Sequence, residues 1–150
     1  MLDVIGKPNI YQVGVAQMLS VDNAEVTQIL ESLRGFRARV SATSPTALDS
    51  TLLAAALPSG RDLYVTVDVD VLPLHSMQST DYPAEYGISL ETLIVALNSI
   101  ATRSRIVGFD VVELAACPPF TRVNALDAGR AAFIAWHLLR LCTRQREETR

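Results

Sequence analysis

Two carboxylates, Asp68 and Asp70, carry the strongest chemical signal in this 150-residue chain. They lie in the run Leu63 to Leu72, LYVTVDVDVL, where Val65, Val67, Val69 and Val71 alternate with Tyr64, Thr66, Asp68 and Asp70. The alternation predicts a strand, with both Asp side chains on one face, roughly 7 Å apart at Cα. Two like charges at the buried end of an apolar strand repel and lose hydration. A divalent cation offsets that cost, and hard cations prefer carboxylate oxygens. The alternative is an acidic pair that reaches solvent and helps to stop the strand. Glu113 closes a second apolar run, Arg105 to Leu114 (RIVGFDVVEL), with Asp110 three residues earlier on the opposite face. His75 follows Asp70 by five residues on the next loop, as a substitute ligand, a substrate contact or a solvated side chain.

The elements that must hold these residues alternate between strand and helix. Ile10 to Val15 and Arg37 to Ala42 read as short strands. A helix capped by Asp22, with Glu25 as its capping-box partner, runs to Gly35 with Val26, Ile29, Leu30 and Leu33 on one face. Ser44-Pro45 opens a second helix that ends at Pro58. After the central strand, Pro73 to Tyr86 is a long loop containing His75, Asp81, Tyr82 and Glu85, a length more often functional than idle. Ser89 caps a helix with Leu90, Leu93, Ile94, Leu97 and Ile100 on one side and Glu91 near its positive end. A final helix, capped by Asn124 with Asp127 at its third position, carries Ala131, Ala132, Ala135, Leu138, Leu139 and Leu141. His137, in that helix between Trp136 and Leu138, reads as a core or edge histidine. Tyr64 and Thr66 read as core residues, and Asp110 as a hydrogen-bond acceptor for the backbone or a neighbouring loop. The tail, Thr143 to Arg150, is polar and expected to fray.

This order predicts an α/β fold, a parallel sheet flanked by helices with right-handed crossovers, forming one domain over residues 1–150. Ligands in such sheets bind beyond the carboxyl ends of the strands, where Asp68, Asp70 and Glu113 all fall. Hydrophobic residues make up 49% of the chain, which excludes a disordered polymer. A net charge of -3 provides no basic footprint for nucleic acid. No apolar run approaches the roughly 20 residues that span a bilayer, and the first residues lack the pattern of a secretory signal. A cytoplasmic setting is the expectation. Of the two cysteines, Cys142 reads as core, and Cys117, in a Pro-flanked loop, as a bystander or a reactive thiol.

Three motifs in order carry a resemblance: TVDVDVL, then a loop ending in PAEYGIS, then IVGFDVVEL. Together they resemble the C-terminal half of the ureohydrolase superfamily, which includes arginases, agmatinases and formimidoylglutamases, from about Ile10 to Leu141. The last motif is most similar to the agmatinase branch. DVDVLP, with Pro73 where many relatives have Asp-Pro, is more similar to the formimidoylglutamase branch. The resemblance implies a three-layer α/β/α sandwich, of which this chain is part, commonly assembled into homo-oligomers. It implies hydrolysis of a small guanidino or linear amidine substrate at a centre of two manganese ions. Asp68 and Asp70 would be metal ligands, and Glu113 would receive the cationic amidine group by charge-assisted hydrogen bonds.

The family also draws a histidine and an Asp-x-His-x-Asp cluster from its N-terminal half, and this sequence contains neither. After Glu113 the run Ala115-Ala116-Cys117-Pro118-Pro119-Phe120 departs from the family pattern by lacking a following acid. The expectation is therefore a piece of a longer hydrolase, or one half of a split enzyme completed by an N-terminal partner, inactive in isolation. A non-catalytic remnant is the alternative. An unrelated α/β domain with an acidic magnesium pocket would need a nucleophile or a Gly-rich phosphate loop, and neither is convincing here.

Overall fold

The computed structural model describes residues 12–15, 39–41, 59–81, 83–85, 87–115 and 121–147. The helices expected over 22–35 and 44–58, together with Cys117, Tyr82 and Tyr86, lie outside them. Two parallel pairs of strands form. β1 (Gln12–Val15) pairs with β2 (Arg39–Ser41), and β3 (Asp62–Asp68) pairs with β4 (Arg105–Val112). The helix α1 (Leu90–Arg103) connects β3 to β4, and α2 (Arg122–Glu147) follows β4.

β3 is shorter than its valine alternation suggests. It ends at Asp68, and Val69–Val71 form a single 3-10 turn, so Asp70 is not on the strand. The physical cause is local: the Asp68 carboxylate accepts the N–H of Asp70 at 2.9 Å and so caps the turn. The pairing stops at the same point, because Asp68 and Val112 are the last partners in the register. Val69, fully buried, enters the core from the turn instead of from the ladder.

One face of the β3–β4 pair supports the core. Val67 and Ile106 are buried, and Val65, Phe109 and Val111 pack beside them against Leu93, Leu97, Ile134 and Leu138. α1 buries Leu93, Ala96 and Leu97, the i, i+3, i+4 spacing of one helical side. Its start is as expected: Ser89 Oγ accepts the Thr92 N–H at 3.1 Å, and Glu91 lies in the first turn. α2 presents Asp127, Ala131, Ile134, Leu138 and Cys142 inward and packs on β4 and α1.

Three expectations about α2 and the strands are corrected. The residue that caps α2 is Thr121, not Asn124: Thr121 Oγ1 accepts the Asn124 N–H at 3.2 Å and donates to Asn124 Oδ1 at 2.8 Å. The expected fraying tail is helical through Glu147, because Gln145 ties it to the seam between α1 and β4. Its Oε1 accepts the Ile106 N–H at 2.9 Å, and its Nε2 donates to the carbonyls of Ala101 and Ser104. Tyr64 and Thr66 are exposed, not core, because both helices pack on the other face of the strand. No helix among the described residues is long and apolar enough to cross a membrane.

The loop after the 3-10 turn folds back on itself. Leu74 N–H donates to Ala84 O at 2.7 Å, Pro73 and Ala84 form a parallel bridge, and Met77 is fully buried. Gly87 allows the closing approach, since Ile88 N–H donates to Val71 O at 2.9 Å. A Cβ at position 87 would stand 2.4 Å from Val71 O and 2.8 Å from Leu72 C, both backbone atoms that cannot rotate away. Gly87→Ala is therefore expected to destabilise the chain by about 1–3 kcal/mol through overpacking. Chemical denaturation would show it as a lower midpoint, and an unchanged midpoint would refute the close approach.

Candidate functional site

The carboxyl ends of β3 and β4 gather the acidic residues. Asp68 ends β3, Asp70 sits in the middle of the 3-10 turn, and Glu113 lies one residue past the Asp68–Val112 pair. Asp68 and Glu113 are exposed, while Asp70 is largely covered. Glu113 adopts φ of 65°, the left-handed region that costs a non-glycine residue roughly 1–2 kcal/mol. That turn takes the chain out of β4, so the strand ends at Val112 and not at Leu114. The Ala115 N–H then donates to Ser79 O at 2.8 Å, which joins the end of β4 to the loop after β3.

Asp70 is the electrostatic centre of the group. Its Oδ1 is buried and has no hydrogen-bond partner among the described residues. Burial pushes its pKa up, Thr80 opposes the rise, and the nearby charges of Asp68 and Asp81 add to it. The Thr80 hydroxyl is also buried and lies near the Asp70 carboxyl, short of full hydrogen-bond geometry, with no other partner among the described residues. An orphaned buried carboxylate oxygen beside two further carboxylates is an environment that a cation would relieve. The donor set is all hard oxygen, suited to magnesium, calcium or manganese more than to thiophilic ions. Among the described residues, no group of three or more His, Cys, Asp or Glu stands ready to hold a metal ion. The chain thus offers Asp68 and Asp70 as donors of the right type but too few in number. His75 is exposed on the loop, five residues after Asp70.

Two further residues shape this end of the sheet, Asp81 of the long loop and Asp127, which is not the third residue of a helix capped by Asn124 but a buried anchor for that loop. Asp81 lies close enough to Asp70 to raise its pKa. Asp127 is only 1% exposed, and its Oδ2 accepts the backbone N–H groups of Gln78 at 2.9 Å and Ser79 at 2.8 Å. Its Oδ1 takes Arg130 Nη1 at 2.7 Å. The loop that carries Thr80 and Asp81 is therefore anchored to α2. The signal was present in the sequence: Asp127 occupies the same helical face as Ala131, Ile134 and Leu138, and a charge on a core face implies buried partners. Beside this anchor is a cleft of about 350 Å³, lined by Gln78, Thr80, Asp81, Ala115, Thr121 and Asn124 among others. Neither Asp68, Asp70 nor Glu113 lines it. A second concavity, about 390 Å³, lies at the opposite end of the strands around Asp62 and Arg105 and is remote from these carboxylates.

The remaining polar residues have structural duties. His137 Nε2 lies 3.1 Å from Asn98 Oδ1 at the α1–α2 seam, and burial with the neighbouring Arg140 holds its pKa below the ordinary histidine range. Asp110 Oδ2 accepts the Tyr64 hydroxyl at 3.2 Å.

Parallel strands joined through helices, with acidic residues collected at their carboxyl ends, define an α/β protein with its candidate site at the sheet's C-terminal rim. The structure overlays on the proclavaminate amidino hydrolase of Streptomyces clavuligerus with a TM-score of 0.71 at 23% identity, covering 92% of this chain and 44% of that one. It overlays on the agmatine ureohydrolase of Thermoplasma volcanium with a TM-score of 0.73 at 19% identity, covering 98% and 46%. A sequence model of the arginase family matches residues 2–141, and the chain belongs to that family. It is 34% identical over 88 residues to the formimidoylglutamase of Chromobacterium violaceum, a match covering 59% of this chain and 28% of that protein. With the formimidoylglutamase of Photorhabdus laumondii it shares 33% identity over 76 residues, covering 51% and 23%. The chain thus spans about a quarter of the length of these curated relatives and under half of the solved ones.

Proposed function

We propose that this chain contributes the Asp68, Asp70 and Glu113 segment of a manganese-dependent hydrolase that cleaves a C–N bond in a small linear amidine. The observation that carries the reading is the arginase-family match across residues 2–141, with these three carboxylates at the carboxyl ends of adjacent parallel strands. Asp68 and Asp70 would hold the metal, and Asp70 would do so through its unpartnered Oδ1. A bound manganese pair supplies a nucleophilic water at neutral pH. Glu113, exposed beside the pair, binds and orients the cationic amidine by charge-assisted hydrogen bonds. Asp127 keeps the Gln78–Asp81 loop in place, so that Thr80 and Asp81 border the metal side of the site.

The formimidoylglutamases among its relatives favour a formimidoyl substrate over a free guanidine. Manganese takes about six donors, more than two aspartates provide, so the reading requires further donors from polypeptide that carries them. A cytoplasmic enzyme acting on a soluble metabolite is the setting proposed.

Metal binding tests the reading with residues this chain has. Titration of manganese at high concentration into the chain in a calorimeter, with water completing the donor set, should show weak binding that vanishes in the Asp68→Ala/Asp70→Ala double variant. The same binding in the double variant would overturn the assignment. Competition among formimidoylglutamate, agmatine and arginine for a manganese-loaded, completed enzyme would then read the substrate, with formimidoylglutamate expected to be hydrolysed fastest.

A further inference from the structure

Helix α2 is apolar on two sides. Ala131, Ile134, Leu138 and Cys142 point into the core. Leu126, Gly129, Phe133 and Trp136 recur at steps of three and four on the opposite side of the helical period. They are exposed, Leu126 at 53%, Phe133 at 44% and Trp136 at 52%. Val123 and Leu139 lie at the edges of the stripe, so five of the nine exposed large hydrophobics among the described residues belong to this one helix. A single exposed leucine is ordinary, whereas a contiguous apolar stripe marks an interaction surface. No carboxylate interrupts it: the one acid between Arg122 and Gln145 is Asp127, which is buried and holds Arg130.

The stripe has a shape as well as an apolar character. At Gly129 an added Cβ would meet nothing within 4 Å, so the helix surface has an open notch there. Phe133 and Trp136 stand as a ridge one turn further on, with ring centroids 6.2 Å apart and the Arg140 guanidinium 4.8 Å from the Trp136 ring. Leu126 and Gly129 are three residues apart, and so are Phe133 and Trp136. Two antiparallel copies of α2, related by a two-fold axis midway between Gly129 and Phe133, therefore match at both levels. Each Phe133 enters the notch at Gly129 of the other copy, and each Trp136 covers the other copy's Leu126, a knobs-into-holes arrangement. A surface that fits itself about a two-fold axis is what an isologous dimer requires.

We propose that the outward stripe of α2 is the interface of a homodimer, in which two α2 helices pack antiparallel with Phe133 of each copy seated at Gly129 of the other. The pair buries on the order of 1,000 Å² over both copies, the lower end for a specific interface, so the dimer is of micromolar and not nanomolar strength. Arg122 and Arg140, both exposed, come opposite each other at the ends of the pair. Added salt screens that repulsion and tightens the dimer, whereas it would weaken the docking of an acidic partner on the same arginines. The proposal rests on α2 alone and is independent of the metal and the amidine.

The test uses the 150-residue chain itself, whose only tryptophan is Trp136, so its emission reports the interface directly. Sedimentation equilibrium from low to high micromolar concentration should show monomer passing to dimer. Trp136 emission should shift to shorter wavelength, and its quenching by acrylamide should fall, over the same range. Gly129→Leu fills the notch, has open space around it in the monomer and replaces a poor helix former. It should weaken the dimer at least tenfold while the urea midpoint of the monomer stays the same or rises. Phe133→Glu should also weaken the dimer at least tenfold, and Tyr64→Ser, on the exposed side of β3 away from α2, should leave it unchanged. A chain that is monomeric at every concentration would overturn the proposal. So would a Trp136 shielded from acrylamide in the monomer, since other residues of this chain would then cover the stripe. A dimer that Gly129→Leu and Phe133→Glu both leave intact, or one that salt dissociates, would overturn it as well. None of these readings requires manganese or turnover, so a failed hydrolysis assay and a failed dimer remain distinguishable.

Discussion

Replacing Asp70 with asparagine is expected to remove metal affinity from the site while raising the unfolding midpoint of the metal-free chain. Both effects follow from one atom. Asp70 Oδ1 is buried without a hydrogen-bond partner among the described residues, and Asp68 and Asp81 add negative charge around it. An ionised carboxylate in that position costs folding free energy, and an amide of the same shape removes the charge. The sign is set by the raised pKa. The folded chain holds the Asp70 proton more tightly than the unfolded chain, so stability is lost as pH rises from the unfolded value, about 3.9, through the higher folded value. The advantage of Asp70→Asn should therefore be full at neutral pH and shrink as acid protonates the parent. For the metal, loss of a hydrogen bond to a ligand alone costs about 10–100-fold in affinity, so loss of a direct donor should exceed that range. Thermal unfolding with and without manganese reads both effects. A variant less stable than the parent in the absence of metal would show that Asp70 is a structural acceptor and not a site poised for a cation.

Asp127→Ala is expected to cost about 3–5 kcal/mol, the range for breaking a buried charged network by removing one partner. The two backbone bonds and the ion pair are lost together, with the smaller contribution of the Ser79 hydroxyl. The Gln78 and Ser79 N–H groups are left without their acceptor, and Arg130 is left without its carboxylate. Asp127→Asn should cost less, because one side-chain oxygen can still accept both N–H groups while the amide faces the partly solvated Arg130, whose pairing is screened. Burial by itself pushes the Asp127 pKa up. The Gln78 N–H, the Ser79 hydroxyl and N–H, and Arg130 together outweigh it, so the net pKa lies below the ordinary aspartate value. The charge therefore stabilises the fold at every pH above the unfolded pKa, and that contribution disappears as pH falls through the folded one. The stability difference between the parent and Asp127→Asn should be constant above about pH 5 and collapse in stronger acid. Urea denaturation across that range measures it. A difference that persists undiminished at pH 2 would mean that packing, not charge, makes the anchor.

These two aspartates occupy opposite electrostatic conditions at one end of the sheet. Asp127 has every lone pair that matters engaged by a donor, and its charge holds a loop. Asp70 has one carboxylate oxygen, Oδ1, buried with no hydrogen-bond partner among the described residues, and Thr80 only partly opposes the rise of its pKa. The fixed loop therefore serves the unfixed charge. Thr80 and Asp81 stay near Asp70 because Gln78 and Ser79 are tied to α2. A change at Asp127 should for that reason also weaken metal binding, although Asp127 is no ligand in the proposed site.

The sequence by itself determined the elements whose signals are local and the family to which the chain belongs. Ser89 and the spacing of Leu93 and Leu97 placed α1, and the apolar run RIVGFDVV placed β4, because caps and apolar patterning act within a few residues. The ordered motifs TVDVDVL, PAEYGIS and IVGFDVVEL pointed to the arginase family, whose sequence model spans residues 2–141. The parallel pairing of β3 with β4 followed from the helix between them. The structure showed where β3 stops, since a valine alternation reads the same in a strand and in a turn capped locally by Asp68. It decided that Tyr64 is exposed, because exposure depends on which face α1 and α2 cover. It decided that α2 continues through Glu147, since Gln145 finds its partners 39 to 44 residues away. And it separated Asp127 from Asp70, two residues of one type, by the donors that reach them from distant parts of the chain, which no local pattern encodes.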